Sequence, residues 1–201
     1  MFLKLRQILY PVYNLGPGKR IALWTQGCSI HCPDCLNPET WNPEAGVSVN
    51  IMSLAILLME ISEGYDGITF SGGEPFDQYD ALVYLASILK HSCKLNLLVY
   101  SGYTLEELSG AHPDLYFQEA FDYLIDGRFR SNSPSEDNIR GSANQRIYQF
   151  AAGEVLELPT LANGTALSVN LDTKAILSGI PKAGDVADLK ELLAKRGLTW
   201  E

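Results

Sequence analysis

No stretch of this 201-residue chain reaches the roughly 18 consecutive apolar residues of a membrane-spanning helix. The longest apolar run, Ile51 to Ile61, is interrupted by Ser53 and followed by Glu63 and Gly64, so it reads as a buried helix. Positive charge is scarce. Against 24 Asp and Glu stand 15 Lys and Arg, and the net charge of −9 excludes a broad nucleic-acid-binding face while leaving room for a small basic pocket. The amino terminus, Met1-Phe2-Leu3-Lys4-Leu5-Arg6, has charges inside its apolar stretch and no small-residue cleavage site, so a secretory signal is not expected and a cytoplasmic location is. Cysteine is too sparse and too clustered for a disulfide framework: three of the four fall within eight residues, which in a cytosolic chain points to metal or redox chemistry. Internal repeats and low-complexity tracts are absent.

What is present is ordinary globular composition, 46% apolar and 19% charged, enough for one sizeable core. Strand and helix signals alternate. Arg20 to Thr25 reads as a strand running into the cysteine loop, and Asn50 can cap a helix over 51–62. Gly67 to Phe70 is a short strand, 78–91 a helix, Leu95 to Tyr100 an apolar strand, and Thr104 opens another helix. Asp122 to Gly127 gives a further strand. This βαβ pattern predicts a parallel sheet whose loops at the strands' carboxyl ends share one rim. The polar and glycine-rich loops 26–35, 71–75 and 101–103, and the segment starting at Asp126, then meet there. In the tail, Leu167, Val169 and Leu171 alternate with polar residues, and Asp172-Thr173 can turn the chain into Lys174 to Leu177, which looks like a hairpin. Asp185 can cap a helix presenting Val186, Leu189, Leu192 and Leu193 and ending at Gly197. The expected organisation is a main domain over 1–151 and an extension, hairpin plus helix, over 152–201.

Cys28, Cys32 and Cys35 form a C-x3-C-x2-C pattern, Gly27-Cys28-Ser29-Ile30-His31-Cys32-Pro33-Asp34-Cys35. Three thiolates so spaced can hold three irons of a 4Fe–4S cubane and leave the fourth open to a substrate or cosubstrate. A zinc site completed by His31 or Cys93 is the competing reading, but no second C-x2-C half exists. Cys93, at the far end of a helix, is expected to be a buried structural thiol; His31, His91 and His112 are expected at the surface. Gly72 and Gly73, in Ser71-Gly72-Gly73-Glu74-Pro75, let a ligand approach the backbone closely. Ser101 and Asp126 end the next two strands and face the same rim.

The cysteine motif after the first strand, followed by Gly72-Gly73-Glu74-Pro75 after the next, resembles the radical S-adenosylmethionine (SAM) superfamily. The resemblance implies a partial, open TIM-like (β/α) barrel. It also implies a 4Fe–4S cluster on Cys28, Cys32 and Cys35 whose open iron is chelated by the methionine moiety of SAM. The reduced cluster then cleaves the sulfonium to a 5′-deoxyadenosyl radical. Implied cofactor-binding residues are Asp34, Gly72, Gly73, Glu74, Ser101 and Asp126. Further segments resemble the small activating proteins of anaerobic ribonucleoside-triphosphate reductases: Gly16 to Arg20, Trp24 to Cys28, Leu36 to Trp41, Tyr100 to Tyr103, Leu124 to Phe129 and Arg140 to Arg146. Those proteins are glycyl radical enzyme activases. The resemblance therefore implies a glycyl radical enzyme as protein substrate and a flavodoxin- or ferredoxin-type electron donor. Arg140, Asn144, Gln145 and Arg146 would hold the substrate peptide or SAM, or else staple the last strand. Asp34 departs from the pattern, standing where the activases usually carry glycine. Other readings are a radical SAM enzyme with a different peptide or small-molecule substrate, and a non-catalytic iron–sulfur or zinc module.

Overall fold

A computed structural model of the chain describes residues 1–161, 167–170, 176–179 and 185–195. The fold is mixed α/β, built on an eight-stranded sheet in the order β3-β1-β2-β4-β5-β6-β7-β8. Its centre is parallel: β2 (Arg20–Thr25), β4 (Gly67–Gly72), β5 (Asn96–Tyr100) and β6 (Tyr123–Asp126) pair in sequence order. The connections carry α1 (Ile51–Ile61), α2 (Tyr79–Ser92), and the pair α3 (Leu105–Ala111) and α4 (Tyr116–Ala120). Antiparallel strands flank this centre: β1 (Phe2–Val12) and β3 (Val47–Asn50) on one side, β7 (Arg146–Ala151) and β8 (Glu154–Leu158) on the other.

Alternation along the strands divides the interior into two faces. Ile21, Leu23, Leu97, Val99 and Leu124 pack with Leu54, Leu58, Leu82, Leu85, Leu108 and Phe117 of the helices in one large cluster. Ala22, Trp24, Leu98 and Ile125 face the other way, into smaller clusters with Leu15 and Ile139 from loops. All four helices of the main sheet thus cover one face, as expected when neighbouring parallel strands are joined by crossovers of one hand.

Helix caps are local and legible. The Asn50 side chain accepts from the Met52 and Ser53 amides, and Thr104 with Glu107 forms a complete capping box. The helix at 51–61 is not buried all round, however. Ile51, Leu54, Ala55 and Leu58 face the sheet, while Met52 and Ile56 are 49% exposed, because no further layer of the described residues covers them. The strand β1 has no counterpart in the sequence expectation, although its Leu3-Lys4-Leu5-Arg6 alternation has the period of a half-buried strand, with Leu3 and Leu5 inside.

At the carboxyl side the main sheet continues to Leu158, past residue 151, because Ala152 and Gly153, both at positive φ, turn β7 back into β8. A separate two-stranded sheet pairs β9 (Leu167–Asn170) antiparallel with β10 (Ile176–Gly179), and α5 (Asp185–Ala194) follows. Leu171, Asp172, Thr173, Lys174 and Gly197, and the side chain of Val186, lie outside the described residues. Of the remaining apolar positions of α5, Leu193 is buried and Leu192 is exposed. Two smaller expectations are corrected. Cys93 is half-buried, at the end of α2, where the helix gives out before β5. His112 is half-buried too, its ring stacked on Tyr79 at 3.4 Å.

Candidate functional site

The cysteine loop leaves β2 under tight backbone control. Gln26 N–H donates to the Lys4 carbonyl (2.9 Å), Gly27 N–H to Thr40 (2.7 Å) and Cys28 N–H to Trp41 (3.1 Å). The 3-10 turn Pro38–Thr40 therefore forms a second wall behind the loop. Ser29 is clamped from the other side. Its N–H and Oγ donate to the two carboxylate oxygens of Asp77 (2.6 and 2.9 Å), and its Oγ also meets the Tyr103 hydroxyl at 2.8 Å. Tyr103 in turn donates to Asp77 (2.9 Å), tying together the loops after β2, β4 and β5. His31 (φ +49°) and Asp34 (φ +58°) adopt left-handed backbone to bring the chain round between the cysteines. His31 is exposed, as expected, and its ring lies 4.7 Å from that of Trp41.

The glycine turn is bonded to this loop directly. Gly73 N–H donates to Thr25 O and Glu74 N–H to Gly27 O, both at 2.9 Å. A Cβ on Gly73 would stand 2.0 Å from the Gly27 carbonyl oxygen, and Gly72, at φ +108°, presses on the Thr25 backbone. These glycines thus hold the cysteine loop against the sheet, a packing reason for them that the sequence does not reveal. Glu74 is fully buried, and its carboxylate accepts from Phe76 N–H (3.0 Å), Ser101 Oγ–H (2.9 Å) and Gly102 N–H (2.7 Å). Burial pushes its carboxyl up to about 7, against the pull of those three donors.

Asp126 does not line the same cavity as the cysteines. It is buried and takes a two-pronged bond from Arg146 (3.1 and 2.7 Å) plus the Leu105 amide (2.6 Å), so it anchors β7 and the start of α3. Arg146 also pairs with Glu106, and Arg140 with Asp137. Gln145 donates to Gly127 O and accepts from Gly141 and Ser142 N–H, and Asn144 donates to Arg128 O. Of the four residues whose role the sequence leaves open, Arg146 ties β7 to β6 and α3, while Arg140, Asn144 and Gln145 bond within the segment 127–146. Asp34 is exposed, accepts from Ser131 Oγ (2.6 Å), and lines a neighbouring groove with Arg128.

Cys28, Cys32 and Cys35 share the wall of one cavity, of about 190 Å³, with Gly72, Gly73, Glu74 and Ser101. All three thiols are free and half-buried, and burial pushes those of Cys28 and Cys32 above the usual range. Binding a metal must therefore displace protons, as for any thiolate site. Three soft donors suit iron–sulfur or zinc chemistry, and the Glu74 carboxylate on the same wall is taken up by Phe76, Ser101 and Gly102. Among the described residues no three His, Cys, Asp or Glu side chains converge as a single ion requires. A cubane asks less, since each thiolate takes its own iron, and the donor set fits it. Trp41 lines the same cavity, and its indole Nε1–H is a buried donor without a partner among the described residues. Asp77, Tyr103 and Trp41 are the site residues that sequence reasoning does not single out.

Residues 14–148 match the model of the 4Fe-4S single cluster domain family, and the chain belongs to that family. Its relatives are activating proteins. It is 33% identical over 142 residues to the anaerobic ribonucleoside-triphosphate reductase-activating protein of Pasteurella multocida (strain Pm70), a match covering 67% of this chain and 90% of that one. The protein of the same name from Enterobacteria phage T4 is 30% identical over 150 residues, covering 72% and 94%. The pyruvate formate-lyase-activating enzyme of Clostridium pasteurianum is 33% identical over 92 residues, 44% of this chain and 39% of that one.

Proposed function

We propose that this protein is a radical SAM enzyme that installs a glycyl radical on an anaerobic ribonucleoside-triphosphate reductase. The observation that carries the reading is the direct bonding of the cysteine loop to the Gly72-Gly73-Glu74 turn around one cavity. When bound, the 4Fe–4S cluster and SAM supply one-electron cleavage of the sulfonium and hydrogen abstraction from a substrate glycine. Cys28, Cys32 and Cys35 hold the cluster as thiolates. The polar backbone groups at Gly72, Gly73 and Glu74 receive the methionine end of SAM, and the Glu74 carboxylate fixes that turn to Ser101 and Gly102. Asp34 and Asp126 lie outside that cavity, bonded to Ser131 and Arg146, and support the surrounding loops.

The main unit is a partial, open TIM-like barrel. Helices α1 to α4 on one face, a cavity on the other, and outer strands β3 and β8 that each pair with one neighbour among the described residues support that shape. An open barrel admits a protein loop, and glycine, with no side chain, is the residue whose Cα such a loop can present. Residues 1–151 form the catalytic unit and 152–201 an extension packed on it, with β8 as the join. A flavodoxin- or ferredoxin-type protein supplies the electron. The cytoplasm, which keeps thiols reduced, is the compartment that suits four free cysteines. Among the described residues no helix is long and apolar enough to cross a membrane.

The test is anaerobic incubation of the iron-loaded protein with SAM, a strong reductant and an anaerobic ribonucleoside-triphosphate reductase, read by electron paramagnetic resonance. A SAM-dependent carbon-radical doublet on the reductase is expected, and none with Cys32→Ala. SAM cleavage without a radical on the reductase would assign the chain a different substrate.

A further inference from the structure

Indole nitrogen is a donor only, so a buried Trp N–H can be satisfied by nothing but an acceptor. Trp41 Nε1 is buried and has no such partner among the described residues, while Trp41 lines the cavity that carries Cys28, Cys32 and Cys35. Buried donors are rarely left unpaired in native proteins, and one that is calls for an explanation such as a bound group. The ring is also held firmly. Trp41 N–H donates to the Pro38 carbonyl (3.1 Å), the Trp41 carbonyl accepts from Cys28 N–H (3.1 Å), and the exposed His31 ring lies over the indole at 4.7 Å. The Trp41 backbone is thus tied directly to the first cysteine.

We propose that the Trp41 indole N–H donates a hydrogen bond to an anionic acceptor of the group bound in this cavity, and so tunes that group; the inference rests on the cluster-and-SAM reading above. The acceptor chemistry has two sources, a sulfur of the cluster or the carboxylate of SAM. An N–H bonded to cluster sulfur favours the more negatively charged, reduced state and so raises the reduction potential. An N–H bonded to the carboxylate strengthens SAM binding and leaves the potential of the SAM-free cluster alone.

The experiment compares wild type with Trp41→Phe, which keeps an aromatic ring beside His31 and removes the N–H. Iron and sulfide content, an electron paramagnetic resonance redox titration without SAM, and SAM affinity are measured on each. Equal cluster content is expected. A midpoint lowered by about 59 mV, equivalent to a tenfold shift in a one-electron couple, assigns the acceptor to sulfur. An unchanged midpoint with SAM bound about tenfold more weakly assigns it to the carboxylate. Trp41→His, which retains a ring N–H, should recover part of whichever effect is seen. If Trp41→Phe fails to hold its cluster, the sulfur isostere of tryptophan, benzothienylalanine, introduced at position 41 keeps the indole shape without the donor and gives the same comparison. Midpoint and SAM affinity both unchanged in a loaded N–H-free variant overturn the proposal. Failure of wild type to hold four irons or to bind SAM would instead defeat the reading beneath it, and is seen without any variant.

Discussion

Glu74 sits fully buried with its carboxyl pushed up to about 7 from 4.5. In that interval the folded state binds more protons than the unfolded one, so stability contributed by this group is present below pH 4.5 and lost as pH rises through 7. The loss between pH 6 and 8 is on the order of 1 kcal/mol. Urea unfolding of the iron-loaded protein between pH 6 and 8 should show this downward slope, and Glu74→Gln should flatten it whatever it does to absolute stability. Arg20 makes the opposite kind of demand. It is wholly buried, donating to Thr69 Oγ1, Asn96 Oδ1 and the carbonyls of Pro17, Ile68 and Asn96, all neutral acceptors, and burial lowers its pKa to about 10. Arg20→Met leaves those acceptors without a donor and should cost about 3 kcal/mol in urea unfolding. The cysteines and glycines were legible at this scale because their signal is local spacing. The partners of Arg20 and Glu74 were not, because all of them but Pro17 and Phe76 lie 27 to 76 residues away in the chain.

Among the elements, the site depends on how three loops are joined. Gly73→Ala would set a methyl group 2.0 Å from the Gly27 oxygen. Overpacking of this kind typically costs ~1–3 kcal/mol, and here it should also displace the cysteine loop and lower iron content after reconstitution. The clamp of Asp77 on Ser29 predicts a milder result. Asp77→Ala should leave the melting temperature within a few degrees but speed hydrogen exchange over 28–35, since only the loop loses its anchors. The sequence pattern located β2, β4, β5, β6 and the capped helices to within a residue or two. It missed β3 and β7, and it missed β1 because only four of its residues alternate cleanly before two register shifts against β2. The clamp was likewise not legible, since Tyr103 lies in a loop the sequence places on the rim but nothing local pairs it with Asp77 and Ser29.

For the molecule as a whole, alternating strands and helices were sufficient to anticipate a parallel centre with its loops on one rim. Where the sheet ends was not legible, because β8 is exposed along most of its length and carries little of the burial pattern that marks a strand. Two truncations distinguish the contribution of β8 from that of the residues beyond it. A chain ending at Leu161 retains β8 together with Leu158 and Leu161, which pack on the Ile125–Ile147 cluster, and should melt close to wild type. A chain ending at Ala151 bares the edge of β7 and should melt several degrees lower and aggregate. The central claim, that this cavity cleaves SAM at a cluster on three cysteines, is tested most directly by quantifying 5′-deoxyadenosine from anaerobically reconstituted protein given SAM and a strong reductant. Wild type should form it and Cys32→Ala should not. Absence of product from wild type carrying its full complement of iron, or equal product from the variant, would contradict the account.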